Sequence, residues 1–308
     1  MNRKRTALYL ALIALPGLQA CQAQTAKHES TTQKQQSSLR LELEQLIHPY
    51  NASVGIALIE VETGDTLSLN DQKHYPMQSV YKFPLALAVL QQVDKGMLSL
   101  EQKIHLTKDD LRPTWSPVRD KFPKGNIDLT VHELLTYTVS QSDNNTCDIL
   151  FRLVGGTAVV QQYLLQSGIK DIKVVATEAE MATAWPVQYS NWARPGAMAV
   201  LLRDFYQGKL LSRKSTDLLL HMMTESANSP ARIKGLLPEG ITVAHKTGTS
   251  DTNKAGLTAA TNDAGIITLP NGRHIALAVF VSDTKETKTV NEKIIAGIAK
   301  AIFDHYNQ

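Results

Sequence analysis

The chain has 308 residues, of which 43% are hydrophobic and 20% are charged, and its formal net charge is +3. This composition is typical of a globular protein with a sizeable core, and it excludes a fibrous, a disordered or a multi-spanning membrane protein. The first 20 residues carry three basic and no acidic side chains, so the remainder is close to neutral. A near-neutral chain offers no general electrostatic basis for binding nucleic acid.

The N-terminus has the pattern of an export signal, with a positive start, a short apolar core and small residues after it. We predict a signal peptide over residues 1–20 and a location in the periplasm or outside the cell. Leu18–Cys21 resembles the cleavage box of bacterial lipoproteins, which would leave a lipid anchor on Cys21 and a polar tether over residues 21–38. Simple cleavage nearby, for instance after Ala23, is the open alternative.

Strand patterns occupy both ends of the chain, and helix patterns occupy the middle. Residues 54–70 alternate on either side of a Thr63–Asp65 turn, and a second hairpin is predicted around Asn271–Gly272. A final amphipathic helix is predicted over Val290–Tyr306, and residues 80–235 are mostly helical in pattern. We therefore expect one sheet built from the two ends, an inserted helical domain, and a site at the seam between them.

A serine three residues before a lysine is the first candidate for chemistry. The pattern occurs three times, at Ser79–Lys82, Ser167–Lys170 and Ser282–Lys285, so alone it decides nothing. Two further motifs occur once each, Ser142-Asp143-Asn144 and Lys246-Thr247-Gly248, and only Ser79–Lys82 precedes both of them. Each tripeptide alone is usually a helix cap or a strand end, but the ordered set is the signature of serine acyl-transfer enzymes that act on β-lactams.

The residue types in these motifs suggest their roles. Residues three apart share a helix face, so Lys82 would reach the Ser79 hydroxyl. A lysine must be neutral to act as a base. Apolar surroundings and a second ammonium group at Lys246 would lower the pKa of Lys82 and so favour its neutral form. Ser142 would pass a proton to a leaving amide nitrogen, and the Asn144 amide would hold a carbonyl of the substrate side chain.

The stretch after Lys246 is expected to form a strand edge that pairs with an extended ligand. Gly248 would leave room for the ligand to approach. The backbone N–H groups of Thr249 and Ser79 would then form an oxyanion hole.

With these motifs in place, residues 39–307 resemble class A serine β-lactamases, and most of all their extended-spectrum branch of PER, VEB and TLA enzymes. The resemblance implies an α/β (α+β) fold with an antiparallel five-stranded sheet flanked by helices, plus an inserted all-helical domain. The expected boundaries are residues 39–78 and 233–308 for the α/β domain and 79–232 for the helical domain. The implied activity is hydrolysis of penicillins and cephalosporins, including oxyimino-cephalosporins, by a monomer.

The same resemblance implies a water-activating carboxylate 36 residues after Ser142, which is Glu178, with Glu180 as its competitor. The neighbourhood departs from the common class A pattern. Ala176 and Asn191 replace an Arg–Asp pair that clips the loop, Ala179 replaces a proline, and Ala182 replaces a second ligand of the hydrolytic water. The first three departures predict a rearranged loop and a wider cleft. Ala182 predicts either slower deacylation or a hydrolytic water that is held by another group.

The remaining residues implied by the resemblance bind the substrate. Arg232 would hold the substrate carboxylate together with Thr247 and Thr249, Trp115 would stand at the cleft mouth, and Ser250 would line the same pocket. A surface arginine and a core tryptophan are the alternatives for Arg232 and Trp115.

No cofactor or metal is expected, because none of the nine histidines forms a zinc-type pair. Strand alternation points His245 away from Lys246, so a packing role is expected for it. Cys147 is expected to be a buried core residue.

Two alternative functions stay open on the sequence. One is a D-alanyl-D-alanine peptidase of the cell wall, against which Glu178 counts. The other is a slowly deacylating β-lactam-binding protein, for which Ala182 counts.

Overall fold

The computed structural model describes residues 36–226 and 228–307. The predicted signal peptide, Cys21 and the predicted tether up to residue 35 lie outside these residues. The last three residues of the predicted tether, 36–38, are wrong as a tether, because they already form the start of a helix. Within the described residues, no helix is long and apolar enough to cross a membrane.

Ten helices and ten strands are described in this part of the chain. The helices are α1 (36–47), α2 (Lys82–Asp94), α3 (Pro117–Lys121), α4 (Val131–Ser140), α5 (Asn144–Val154), α6 (Thr157–Gln166), α7 (Glu178–Met181), α8 (Pro195–Tyr206), α9 (Arg213–Thr224) and α10 (Lys288–Tyr306). The strands are β1 (Ser53–Glu60), β2 (Thr66–Leu69), β3 (Tyr75–Pro76), β4 (Lys103–Leu106), β5 (Ile127–Thr130), β6 (Ile172–Lys173), β7 (Trp192–Ala193), β8 (Val243–Thr249), β9 (Thr258–Thr268) and β10 (His274–Thr284). Short 3-10 helices cover Gln78–Tyr81, Lys108–Asp110, Trp185–Tyr189 and Ile233–Leu236.

The main sheet is antiparallel and five-stranded, in the order β2-β1-β10-β9-β8. It joins the two ends of the chain, because β1 pairs with β10 over its full length, for example Ile56 with Val279. The two hairpins predicted from the sequence are β1–β2 and β9–β10. The expected five-stranded antiparallel sheet is therefore confirmed.

Both faces of this sheet are buried, and each face has its own core. On one face, side chains such as Ile56 and Val279 pack with Ile298 of α10 and Leu39 of α1. On the other face, side chains such as Phe280 join the core of the helical middle. Because both faces are covered, β10 is a nearly continuous run of buried residues rather than an alternating one.

The middle of the chain is mostly helical and also contains two small sheets, β3-β7-β6 and β4-β5. Within this middle part, α8 returns to pack on β1 and β10. The predicted domain boundaries at residues 79 and 232 stay a prediction.

Strand β8 forms one edge of the sheet and packs against the 3-10 helix Gln78–Tyr81, which leads into α2. The Asn262 side chain on β9 donates hydrogen bonds to the carbonyls of Pro76 and Met77, at 2.7 and 3.1 Å. These bonds fasten the segment before α2 against the sheet. The seam between the sheet edge and the helical middle is where the predicted motifs meet.

Candidate active site

Ser79 lies in the 3-10 helix that leads into α2, between the sheet edge and the helical middle. The residue before it, Gln78, has a positive φ of 46°, a conformation that costs a non-glycine residue energy. A Cβ on Gly248 would come within 2.3 Å of the Met77 carbonyl oxygen. The glycine of the Lys-Thr-Gly motif is thus required by the protein's own backbone, whereas the sequence suggested room for a ligand.

Lys82 is fully buried and surrounded by oxygen atoms. Its Nζ donates to Ser79 Oγ at 3.1 Å and to the Ser142 carbonyl at 2.8 Å. It also donates to Asn144 Oδ1 at 2.6 Å. Glu178 Oε1 lies 3.0 Å from the same nitrogen. The two groups form an ion pair, but they are not aligned as a hydrogen bond. One ammonium thus connects the predicted nucleophile with the predicted water-activating carboxylate.

Ser142 bridges the two buried lysines. Its hydroxyl accepts a hydrogen bond of 2.8 Å from Lys246 Nζ, and its backbone has a positive φ of 58°. The following residue, Asp143, caps α5 by accepting from the Thr146 N–H at 2.9 Å. Because Asp143 also accepts from the Val118 N–H, the turn that aims Ser142 is held from two sides. The helix cap that such a tripeptide usually forms is therefore present at Asp143.

Lys246 is buried completely, and its charge is costly there. Burial first, and the neighbouring charge of Lys82 second, lower the pKa of Lys246 well below its usual value. Besides Ser142, its Nζ donates to the Thr247 carbonyl at 3.0 Å.

Asn144 presents its amide between Lys82 and Thr114. Its Oδ1 accepts from Lys82, and its Nδ2 donates to Thr114 Oγ1 at 2.8 Å. Since an amide group carries two N–H donors, one remains for a ligand in the cleft.

Glu178 is the first residue of the short helix α7, whose N-cap is Thr177. The competing carboxylate, Glu180, is exposed and accepts from the Thr177 N–H and hydroxyl at 2.8 and 3.0 Å. It therefore serves the helix cap, and only Glu178 faces Lys82.

Asp148 on α5 holds the backbone at Glu178, a role that the sequence did not reveal. Its carboxylate accepts from the N–H groups of Glu178 and Ala179, at 2.8 and 3.0 Å, and pairs with Arg112. Burial raises the pKa of Asp148, and the two backbone donors oppose that rise. No local pattern marks this residue, because its partners lie 30 residues further along the chain.

Asn191 anchors the loop that precedes and follows α7. Its buried side chain accepts from the N–H groups of Val175 and Ala176, at 2.7 and 2.9 Å, and donates to the Ala176 carbonyl at 2.7 Å. The resemblance implied that the Arg–Asp ion pair of other class A enzymes is absent from this loop. In this protein, the Asn191 amide holds the loop backbone in its place. Ala182, at the end of α7, is exposed and presents no polar side-chain atom.

Arg232 is buried behind β8 and does not line the cleft. Its guanidinium donates to the carbonyls of Gly248 and Asn262 and, at 2.7 Å, to Thr249 Oγ1. Burial lowers the pKa of Arg232. The sequence implied direct contact with a substrate carboxylate, whereas the structure connects this cation to the cleft through the Thr249 hydroxyl.

His245 points to the face of β8 opposite Lys246, as alternation predicts. Its ring Nδ1 lies 2.9 Å from both carboxylate oxygens of Asp263, and both residues are fully buried. Asp263 also accepts from the Ile233 N–H at 3.2 Å. The pair therefore supports the strand that carries Lys246.

A cleft of about 480 Å³ opens beside Ser79. Eight of the predicted residues line it: Ser79, Trp115, Ser142, Asn144, Glu178, Thr247, Thr249 and Ser250. Trp115 has 62% of its surface exposed, as a residue at the cleft mouth would, rather than a core tryptophan. Lining residues that the sequence did not indicate are Gln78, Asn228, Ser229, Asp251 and Lys288.

Gln78 also contacts the segment after α7, because its Nε2 donates to Gln188 Oε1 at 3.2 Å.

Cys147 is buried, and burial raises the pKa of its thiol well above the usual value. Over residues 36–226 and 228–307, no cluster of three or more His, Cys, Asp or Glu side chains is arranged to hold a metal ion.

Comparison with known proteins identifies the family. A model of the β-lactamase enzyme family matches residues 38–306. The chain is 50% identical to the β-lactamase VEB-1 of Pseudomonas aeruginosa over 275 residues, which cover 88% of this chain and 91% of that protein. It is 44% identical to the extended-spectrum β-lactamase PER-1 of Pseudomonas aeruginosa over 273 residues, which cover 88% of each chain.

Solved structures of β-lactamases also superpose on this chain. The crystal structure of the TLA-1 extended-spectrum β-lactamase superposes with a TM-score of 0.87 at 53% identity, covering 88% of this chain and 99% of that one. A representative class A β-lactamase from Bacteroides cellulosilyticus superposes with a TM-score of 0.85 at 39% identity, covering 89% of this chain and 98% of that one. This chain therefore belongs to the β-lactamase enzyme family, as a class A serine hydrolase.

Proposed function

We propose that this protein hydrolyses the β-lactam amide through an acyl-enzyme on Ser79. The observation that carries the proposal is the position of Lys82 Nζ, which touches Ser79 Oγ on one side and Glu178 on the other. A nucleophile and a carboxylate that share one buried cation can exchange protons without passing through bulk solvent.

In the acylation step, the Ser79 oxygen bonds to the lactam carbonyl carbon, and the carbon–nitrogen bond of the lactam breaks. Lys82 takes the Ser79 proton once it has given up its own to Glu178, or Glu178 takes the Ser79 proton through a water molecule. Ser142 delivers its hydroxyl proton to the leaving nitrogen and is reprotonated with the proton that the base took from Ser79, while Lys246 is hydrogen-bonded to the Ser142 hydroxyl. The N–H groups of Ser79 and Thr249 stabilise the oxyanion.

In the deacylation step, Glu178 takes a proton from a water molecule, whose oxygen attacks the ester carbon. The ester bond breaks, the proton returns to Ser79, and the ring-opened product leaves. Asp148 positions Glu178 for this step through the two backbone N–H groups at the start of α7.

The substrate is held along the edge of β8. Thr247 and Thr249 would bind its carboxylate, with Arg232 polarising the Thr249 hydroxyl from behind. Asn144 would hold the side-chain amide of the substrate, while Gly248, Ser250 and Trp115 shape the cleft. We propose oxyimino-cephalosporins among the substrates, because the relatives PER-1 and TLA-1 are named as extended-spectrum enzymes.

We further propose that the protein is exported to the periplasm as a monomer that confers resistance to β-lactam antibiotics. The motivation for export is the signal-like pattern over residues 1–20, and that for a lipid anchor is Cys21. Replacing Cys21 by Ala is expected to release the protein from the membrane fraction. Unchanged fractionation would discard the lipid anchor.

The second candidate, a protein that is acylated and then stays acylated, is favoured only by the exposed Ala182. One assay separates the two functions. Purified protein is mixed with a large excess of a chromogenic cephalosporin, with a Ser79→Ala variant as the control. Sustained turnover that is lost in the control supports the hydrolase, whereas a burst of one equivalent followed by silence overturns it.

A further inference from the structure

Lys288 brings an exposed positive charge to the cleft. It is the first residue of α10, it lines the cleft beside Ser79, and its side chain is 69% exposed. The other cations near the site, Lys82, Lys246 and Arg232, are fully buried and already bonded to protein oxygens. Among the described residues that line the cleft, Lys288 is the one basic side chain.

Contacts with Glu292 place Lys288 near the carboxylate-binding end of the cleft. Glu292 Oε1 lies 4.0 Å from Lys288 Nζ and 3.4 Å from Arg232 Nε. Arg232 in turn donates to Thr249 Oγ1. A chain of contacts therefore leads from Lys288 to Thr249 through the Glu292 carboxylate and the Arg232 guanidinium. Thr249 is where the substrate carboxylate would bind.

The charge of Lys288 is only partly balanced. The Glu292 carboxylate is shared with Arg232, which is nearer and buried, so Lys288 receives the weaker part of the interaction. Two other carboxylates lie near Lys288 in the cleft or in the chain. Asp251 lines the cleft and is exposed to solvent. Glu286, two residues before Lys288, already accepts a hydrogen bond of 3.0 Å from the Asn51 N–H.

We propose that Lys288 determines specificity by recognising a second negative charge on the substrate, in the substituent beside the ring carboxylate. In a cephalosporin this substituent is at the 3-position, next to the carbon that bears the carboxylate. The inference rests on the proposed function, because the substrate carboxylate must lie at Thr247 and Thr249. A positive group at the same position is repelled by the same lysine.

Three cephalosporins with the same oxyimino side chain and different 3-substituents test the proposal. Cefotaxime carries a neutral group there, ceftriaxone an acidic group and cefepime a cationic group. In the Lys288→Glu variant, kcat/KM for ceftriaxone relative to cefotaxime is expected to fall about three- to tenfold, as for an exposed charge pair that is reversed. The cefepime-to-cefotaxime ratio is expected to rise, and the change in both ratios should shrink in high salt.

The matched control is Lys285→Glu, which makes the same change in net charge three residues earlier, at an exposed lysine that does not line the cleft. Ratios that move in Lys288→Glu and not in Lys285→Glu support the proposal. Ratios that stay constant in Lys288→Glu, or that move equally in both variants, overturn it while leaving the hydrolase intact. Absence of hydrolysis of all three compounds by the wild-type protein would instead overturn the proposed hydrolysis of oxyimino-cephalosporins, and this inference with it.

Discussion

The two halves of the candidate site are built in different ways. The residues proposed for acylation, Ser79, Lys82, Ser142 and Lys246, sit on or beside long elements, and both lysines are fully buried. The residue proposed for deacylation, Glu178, sits on a four-residue helix that Asp148 and Asn191 hold by hydrogen bonds. Packing thus fixes the first half, whereas a few polar contacts fix the second, so the second should be easier to weaken without unfolding the protein.

The largest effect is expected from breaking the acylation half at Lys82. Lys82→Met keeps the length of the side chain and removes the amine, so Ser79 loses its base and acylation should slow about 10²- to 10⁴-fold. The rate of the initial burst in stopped-flow absorbance measures this step. A circular dichroism melt of the same sample checks the fold, and a folded variant with an unchanged burst rate would contradict the assignment of Lys82.

A smaller and different effect is expected at Asp148. Asp148→Ala leaves the N–H groups of Glu178 and Ala179 without their acceptor, which should cost about 1–3 kcal/mol of the free energy of unfolding. The displaced Glu178 should slow deacylation up to about 100-fold while acylation is nearly unchanged. Pre-steady-state kinetics would show a burst followed by a slow steady state.

The control for Asp148 is Glu180→Ala, which removes the capping box of the same helix and leaves the Asp148 contacts in place. Equal slowing in both variants would mean that general loosening of α7, rather than Asp148, controls the position of Glu178.

The pH dependence should report on the buried Lys246. Burial and the charge of Lys82 lower the pKa of Lys246. As the pH rises, Lys246 therefore loses its proton at a lower pH than an ordinary lysine, whose pKa is 10.5. If the charged form supports Ser142, kcat/KM falls as the pH rises through this lowered pKa, and in Lys246→Arg the fall moves to higher pH because arginine stays protonated. A pH–rate profile with the same alkaline limb in both proteins would refute this role.

The smallest effect is expected at Ala182, at the end of α7. Ala182→His adds a side chain that can bind the hydrolytic water, and deacylation should speed up several-fold. Single-turnover measurements of ester hydrolysis would record the gain, while an unchanged or slower rate would show that this position does not limit the reaction.

The sequence predicted the elements and residues whose signals are local. Alternation and the Asn271–Gly272 turn predicted the hairpins, and three short motifs predicted Ser79, Lys82, Ser142 and Lys246. Strand alternation also predicted the direction of His245. Each of these depends on residues close together in the chain.

Contacts between distant segments were not predictable in the same way. Asp148 lies on an amphipathic helix and binds a backbone 30 residues away, and Asn191 anchors Ala176 from the far side of the loop. The burial of Arg232 depends on how α10, which carries Glu292, packs against the 3-10 helix Ile233–Leu236. Such contacts follow from the packed structure, and the polar residues that make them look like ordinary surface residues in the sequence.

In the proposed mechanism, Ser79 captures the substrate and Glu178 releases it. The most direct test is intact-protein mass spectrometry of the Glu178→Gln variant after mixing with an oxyimino-cephalosporin. A stable mass increase of one acylating group, mapped to Ser79, is expected in this variant, while the wild-type protein returns to its free mass. A variant that returns to its free mass as fast as the wild type would contradict the account.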